Sequence, residues 1–310
     1  MSTALAERHV VFGFGAHGGV DDGPDLLRQA RQADEDGLDL FSLSDHPYLG
    51  ERLDAYATLG FVLGGTRHLA GFANVTNLPT RPPAMLARTV TSLSAISGGR
   101  VVLGMGAGGL WDRIAAMGVP RLDPGAAVDA FEEAIVLVKK LSGGGPPVSY
   151  QGRHYQVDQI EPAPVAAPPV WTGSVGPKSL AATGRVADGW LPGRASDWLS
   201  ERFRTSRPII DEAAAAVGRA PREIRTIFNL PGRVIDRPLA TTRDRDGRWL
   251  GGAVDQWVEE LTGAVLTHGA SGFMLFSPGG GTPDPVSLRR WALDIVPAVR
   301  EAVKKETVSP

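Results

Sequence analysis

The chain has 310 residues, a net charge of −2 and no cysteine. This excludes disulfides, thiolate metal sites and a cysteine nucleophile, and gives no charge-based reason to expect a nucleic-acid or membrane partner. The first ten residues, MSTALAERHV, lack an apolar signal core, and no run of about 18 apolar residues follows, so the expected location is the cytoplasm.

Short apolar runs alternate with helical patterns from one end to the other. VVFGFGA (10–16) reads as a strand that ends in glycines. Residues 23–37 read as a helix, with Pro24 in its first turn and Gly37 past its end. LDLFSLSDH (38–46) is the second strand, 52–66 a helix, and HLAGFANVTN (68–77) the third strand. The helix over 82–97 carries Leu86, Val90, Leu93 and Ile96 on one face. RVVLGMG (100–106) is the fourth strand, and a helix over 125–141 follows. Strands five (168–174) and six (187–192) flank a helix at 177–184. A long helix over 196–217 leads to EIRTIFNL (223–230), the seventh strand. A helix marked by Trp257, Leu261 and Val265 precedes SGFMLFS (271–277), and a last helix carries Leu288, Trp291, Ile295 and Val299 on one stripe.

Strands that are apolar on both faces and separated by helices imply a parallel sheet. Eight such units point to an α/β fold of the (β/α)8 TIM-barrel type, with an open doubly wound sheet as the alternative. The chain, 1–310, reads as one such domain. Two segments exceed a minimal barrel. One is 142–167, Pro/Gly-rich with Tyr150 and Tyr155, and reads as an insertion. The other is 231–252, which reads either as a loop at the catalytic rim or as a charged surface loop.

Four motifs lie at strand ends. In GGRVVLGMGAGG (98–109), Gly104, Gly106 and Gly109 match G-x-G-x-x-G, but Pro120, Pro124 and Gly125 interrupt where a Rossmann helix must start, so that reading fails. The glycines still imply that something comes close to the backbone. GSVGPK (173–178) sits between a strand and a helix, where backbone N–H groups and Lys178 suit a phosphate; a plain tight turn is the alternative. Asp45-His46-Pro47 ends the second strand. Pro47 keeps His46 extended, so residues 45 and 46 point to opposite faces, one to the mouth and one to anchor the loop. His46 is the natural proton carrier, and a loop-closing pair is the alternative. In ANVTN (73–77), Asn74 and Asn77 are unusual for a buried strand. Histidines at 9, 17, 46, 68, 154 and 268 show no metal-site spacing, and there is no G-x-S-x-G elbow.

SLSDHPY (42–48), the 74–109 block from NVTNLPTRPP to GMGAGG, VSYQGRHYQVD (148–158) and VWTGSVGPKSLAATGRVADGWLP (170–192) together resemble the bacterial luciferase-like family of flavin- and deazaflavin-dependent oxidoreductases. The resemblance runs over about residues 8–302. It implies a TIM barrel with a cofactor across its C-terminal mouth and a non-prolyl cis peptide at Asn74–Val75 behind the flavin ring. It implies that Gly106, Ala107, Gly108 and Gly109 pass beside the ring, and that Gly173, Ser174, Val175, Gly176, Pro177 and Lys178 take the phosphate. It makes His46 and Asp45 the catalytic pair and implies a homodimer.

At Gly109 the chain departs from relatives that carry a glutamate, and Trp111 becomes a candidate to pack on the ring or substrate. His17, Tyr48, Trp111 and residues 14–17 and 231–252 are expected to line the mouth, which suits a small apolar or aromatic substrate. Coenzyme F420 implies hydride transfer without oxygen. Reduced FMN implies a monooxygenase supplied by a separate reductase. The Asp-His pair and GPK lean toward F420. A flavin-binding protein without turnover is the alternative from another class.

Overall fold

The computed structural model describes residues 10–193 and 197–308. In chain order the elements are β1 (Val11–Ala16), α1 (Gly23–Glu35), β2 (Leu40–Leu43), α2 (Ala55–Gly65), β3 (Ala70–Ala73), β4 (Thr76–Asn77), α3 (Pro83–Ser97) and β5 (Leu103–Gly106). Then come α4 (Trp111–Ala116), α5 (Pro124–Lys140), β6 (Val148–Gln151), β7 (Gln156–Ile160), β8 (Val170–Thr172), α6 (Pro177–Val186), β9 (Gly189–Trp190) and α7 (Glu201–Ala216). The chain continues through β10 (Arg225–Pro231), β11 (Arg233–Val234), β12 (Gly251–Gly252), α8 (Val254–His268), β13 (Gly272–Phe276), α9 (Pro285–Arg290) and α10 (Val296–Val308).

Nine strands form one sheet in the order β3-β2-β1-β13-β10-β9-β8-β5-β4, and their pairings are parallel. β3 and β4 are two halves of one stave, interrupted at a cis Asn74–Val75 peptide. Gly71 bridges Val101 and brings the first stave against the last, giving the eight-stave barrel expected from the repeat. Alternate strand positions point inward. Val11, Leu40, Phe72, Trp171, Ile227 and Met274 meet inside the barrel. The opposite strand faces pack beneath the helices in a larger apolar layer. No helix among the described residues is long and apolar enough to cross a membrane.

Four differences from the sequence reading have physical causes. Ile96 is 83% exposed although Leu86 and Val90 on the same helix are buried; ten residues of helix carry it off the packed face. The 142–167 segment contains a hairpin, β6–β7, held to α5 by Glu133, whose carboxylate accepts the backbone N–H groups of Arg153, His154 and Tyr155. The 231–252 segment is anchored: Trp249 packs edge-on against Trp257 at 4.8 Å, and Arg243 pairs with Asp197 and Glu260. The helix expected from residue 196 begins at Glu201, and residue 196 itself lies outside the described residues.

Candidate active site

The inward parity that fills the barrel continues one step up each stave, and there the side chains turn polar. Ser42 stands two residues past Leu40, Asn74 two past Phe72, and Asn229 two past Ile227. Asn74 Nδ2 donates to Asn229 Oδ1 at 2.9 Å and to Ser42 Oγ at 3.3 Å, and Asn229 Nδ2 returns a bond to Asn74 Oδ1 at 3.3 Å. These amides floor a cavity of about 280 Å³ at the C-terminal mouth. Phe276 from β13 forms one side; a Cβ at Gly15 would lie 1.9 Å from its ring, so Gly15 makes room for it. Leu43, Leu49 and His46 close the other side.

His46 and Asp45 diverge as the Pro47 constraint requires. His46 lines the cavity, and its Nδ1 lies 2.7 Å from the Tyr48 hydroxyl. Burial pushes the Tyr48 phenol up; the Asn77 side-chain amide pulls it down, and the Asp45 charge raises it further. The net shift is upward, so Tyr48 keeps its proton at neutral pH and can donate it to Nδ1. The phenol oxygen can equally accept Nδ1–H, and in that tautomer Nε2 presents a lone pair able to take a proton.

Asp45 is buried away from the cavity. Its carboxylate accepts Nε (2.9 Å) and Nη2 (2.7 Å) of Arg81 and the backbone N–H of Asn77 (3.0 Å). Arg81 also holds Asp54 and lies over the Tyr56 ring. Asp45, grouped with His46 as catalytic in the sequence reading, is therefore a positioning residue: it fixes the loop that carries His46 and does not reach the cavity.

Three of the glycines of 98–109, Gly104, Gly106 and Gly108, press against the stretch from Ala73 to Pro79. A Cβ at Gly104 would lie 2.1 Å from the Ala73 carbonyl oxygen, and one at Gly108 would lie 2.7 Å from Pro79. Val75 sits between Gly106 and Gly173, where added Cβ atoms would come within 2.8 and 3.0 Å of its side chain. These positions are small so that the stave can bend at Asn74–Val75. The crowding by the chain itself is a reason for small residues here that the sequence reading did not contain. Gly109 has nothing within 4 Å of its Cβ position and remains open to a ligand, beside Ala107.

The second loop divides its work. Ser174 is buried; its hydroxyl accepts from Thr183 Oγ1 at 2.8 Å and its carbonyl accepts the Trp190 indole N–H at 3.0 Å. Val175 is exposed, and Gly176 has clear space ahead of Pro177 at the start of α6. The first N–H groups of a helix have no intrahelical acceptor, so this end stays available to an anion. Lys178 Nζ bonds the Gly125 carbonyl at 2.9 Å and Asp129 at 2.6 Å.

Of the other residues expected at the mouth, His17 lines the cavity and Tyr48 stands behind His46. Trp111 lines a separate cavity of about 220 Å³, with Ala107, His154 and Tyr155. Phe14 is fully buried in the outer layer, and no residue of 231–252 lines the His46 cavity.

A profile of the luciferase-like monooxygenase family matches residues 8–262. The chain belongs to that family. It is 29% identical over 249 residues to an F420-dependent hydroxymycolic acid dehydrogenase of Mycobacterium tuberculosis, covering 74% of this chain and 65% of the relative. It is 27% identical over 216 residues to an F420-dependent glucose-6-phosphate dehydrogenase of Microbacterium testaceum, covering 66% and 63%. The matches thus span less than two thirds of these relatives' length. In fold, this luciferase-like chain is similar to the coenzyme F420 dependent tetrahydromethanopterin reductase of Methanopyrus kandleri, with a TM-score of 0.75, 19% identity, and coverage of 93% and 99%.

Among the residues of this luciferase-like mouth that escaped the sequence reading are Asn229, Phe276 and Arg52. Strand parity could have found Asn229 and Phe276, since each lies two positions beyond an interior residue of its stave. No local signal marks Arg52, which precedes α2 and reaches the cavity only through the fold.

Proposed function

We propose that this chain is an F420-dependent oxidoreductase that exchanges a hydride with a small alcohol or carbonyl substrate at the barrel mouth. The observation that carries this reading is His46: a side chain able to hold a proton, buttressed by Tyr48, lining a cavity beside the Asn74–Val75 bend. The F420-dependent relatives support the choice of cofactor.

The residues fit a phosphorylated cofactor with a planar ring. The open end of α6 at Gly176 suits the phosphate, and the gap at Gly109, with the Asn74–Asn229 floor, suits the ring. When bound, F420 supplies a deazaflavin carbon that accepts or returns a hydride. The chain's own part is positional and acid–base. Asp45 and Arg81 fix the loop, Tyr48 accepts the imidazole Nδ1–H, and the lone pair on His46 Nε2 takes the hydroxyl proton as the carbonyl forms or returns it in the reverse direction. Leu43, Leu49 and Phe276 exclude water.

The description of the family favours a second reading, oxygenation with reduced FMN delivered by a separate reductase. We also propose a homodimer, supported by uncharged, exposed apolar positions on α2 and α3.

Turnover is followed by the absorbance of F420 with a panel of secondary alcohols. The wild type is expected to reduce F420 with at least one, and His46→Ala to lose about a hundredfold in kcat while still binding F420. An unchanged rate in His46→Ala contradicts the assignment.

A further inference from the structure

The cavity beside His46 contains a positive charge with no carboxylate in hydrogen-bond reach among the described residues. Arg52 lines it with a side chain that is 15% exposed. Its Nη1 donates to the His17 carbonyl at 2.6 Å. Its Nε is buried with no hydrogen-bond partner. The one carboxylate within 4 Å among the described residues, Glu51, lies 3.9 Å from Nε, beyond hydrogen-bond reach, on a side chain 68% exposed.

The contrast with two other largely buried arginines is direct. Arg81 is paired with Asp45 and Asp54, and Arg243 with Asp197 and Glu260. In both, burial disfavours the cation but the carboxylates outweigh it and its proton is held more tightly. For Arg52, burial acts with no carboxylate to offset it. A guanidinium stays charged regardless, so a desolvated one at a cavity wall calls for an anion.

Arg52 lines the cavity wall, and a guanidinium is well matched to a carboxylate in charge and planar shape. Ser44 lines the same cavity and can add a hydroxyl donor, while Leu43, Leu49 and Phe276 offer apolar walls. We propose that Arg52 receives a carboxylate carried by the substrate, so that the substrate class is small organic acids with an apolar body, their reacting alcohol or carbonyl turned toward His46. The proposal rests on the reading of this cavity as the substrate site of an F420-dependent oxidoreductase. It keeps the apolar character expected from the sequence and adds one negative charge.

Calorimetric titration of the F420-loaded chain with benzoate and with benzamide separates charge from shape. Benzoate is expected to bind at least tenfold more tightly. Arg52→Gln is expected to abolish that preference while leaving F420 affinity within about threefold. Arg52→Lys retains a cation that can reach the His17 carbonyl, and is expected to keep part of the preference, which guards against a mere folding defect. Equal binding of benzoate and benzamide by the wild type overturns the proposal. A loss of F420 affinity in Arg52→Gln also overturns it, by assigning the anion to the cofactor. If the chain fails to bind F420, the same titrations on the cofactor-free protein still decide the role of Arg52, so the two readings fail separately.

Discussion

At the residue scale, the account turns on one proton. The 2.7 Å contact between His46 Nδ1 and Tyr48 engages one imidazole nitrogen and leaves Nε2 to exchange a proton. Without the phenol the ring can rotate. An unmade hydrogen bond of this kind is worth about 1–1.5 kcal/mol, or roughly tenfold in rate. Tyr48→Phe is therefore expected to lower kcat about tenfold with KM little changed, measured by steady-state F420 reduction; a change confined to KM would make Tyr48 a substrate contact instead. His46 was legible in the sequence because Asp-His-Pro ends a strand at the barrel mouth. Its partner roles were not, because Asp45 is committed by Arg81, which lies 36 residues further on.

At the element scale, a small ionic cluster joins β2, β4 and α2. Arg81 ties Asp45 at the end of β2 to Asp54, which caps α2 by accepting the Ala57 N–H at 2.9 Å. Removing the cation leaves Asp45 buried with the Asn77 N–H but no counter-charge, a change that costs about 3 kcal/mol or more. Arg81→Met is expected to lower the urea midpoint accordingly and to leave His46 poorly placed. A variant of wild-type stability would show that the cluster is incidental. The main strands and helices were legible because each alternates in hydrophobic period. The β6–β7 hairpin and the 231–252 segment were not, because their anchors are distant: Glu133 for the first, and Asp197 and Glu260 for Arg243 in the second. Glycine carried more than one signal. The run at 104–108 reads as ligand clearance, and it also accommodates Ala73, Val75 and Pro79.

At the scale of the whole molecule, eight repeats make the barrel, and the polar layer above its apolar interior makes the site. The outside is less even. α2 has no charged residue from Ala55 to Gly65, and Phe61 on it is 73% exposed. Met85 and Ile96 are exposed on neighbouring α3. A second copy covering this face is the economical solution for so much apolar surface. Light scattering is expected to give twice the chain mass for the wild type and a monomer for Phe61→Asp; a monomeric wild type removes the dimer.

The central claim is that the mouth holds F420. Isothermal titration of the cofactor-free chain with F420 and with FMN, side by side, tests it most directly. One site per chain and at least tenfold preference for F420 are expected. Preference for FMN, or no binding of F420, would contradict it and direct the search to an oxygen-using reaction and its reductase.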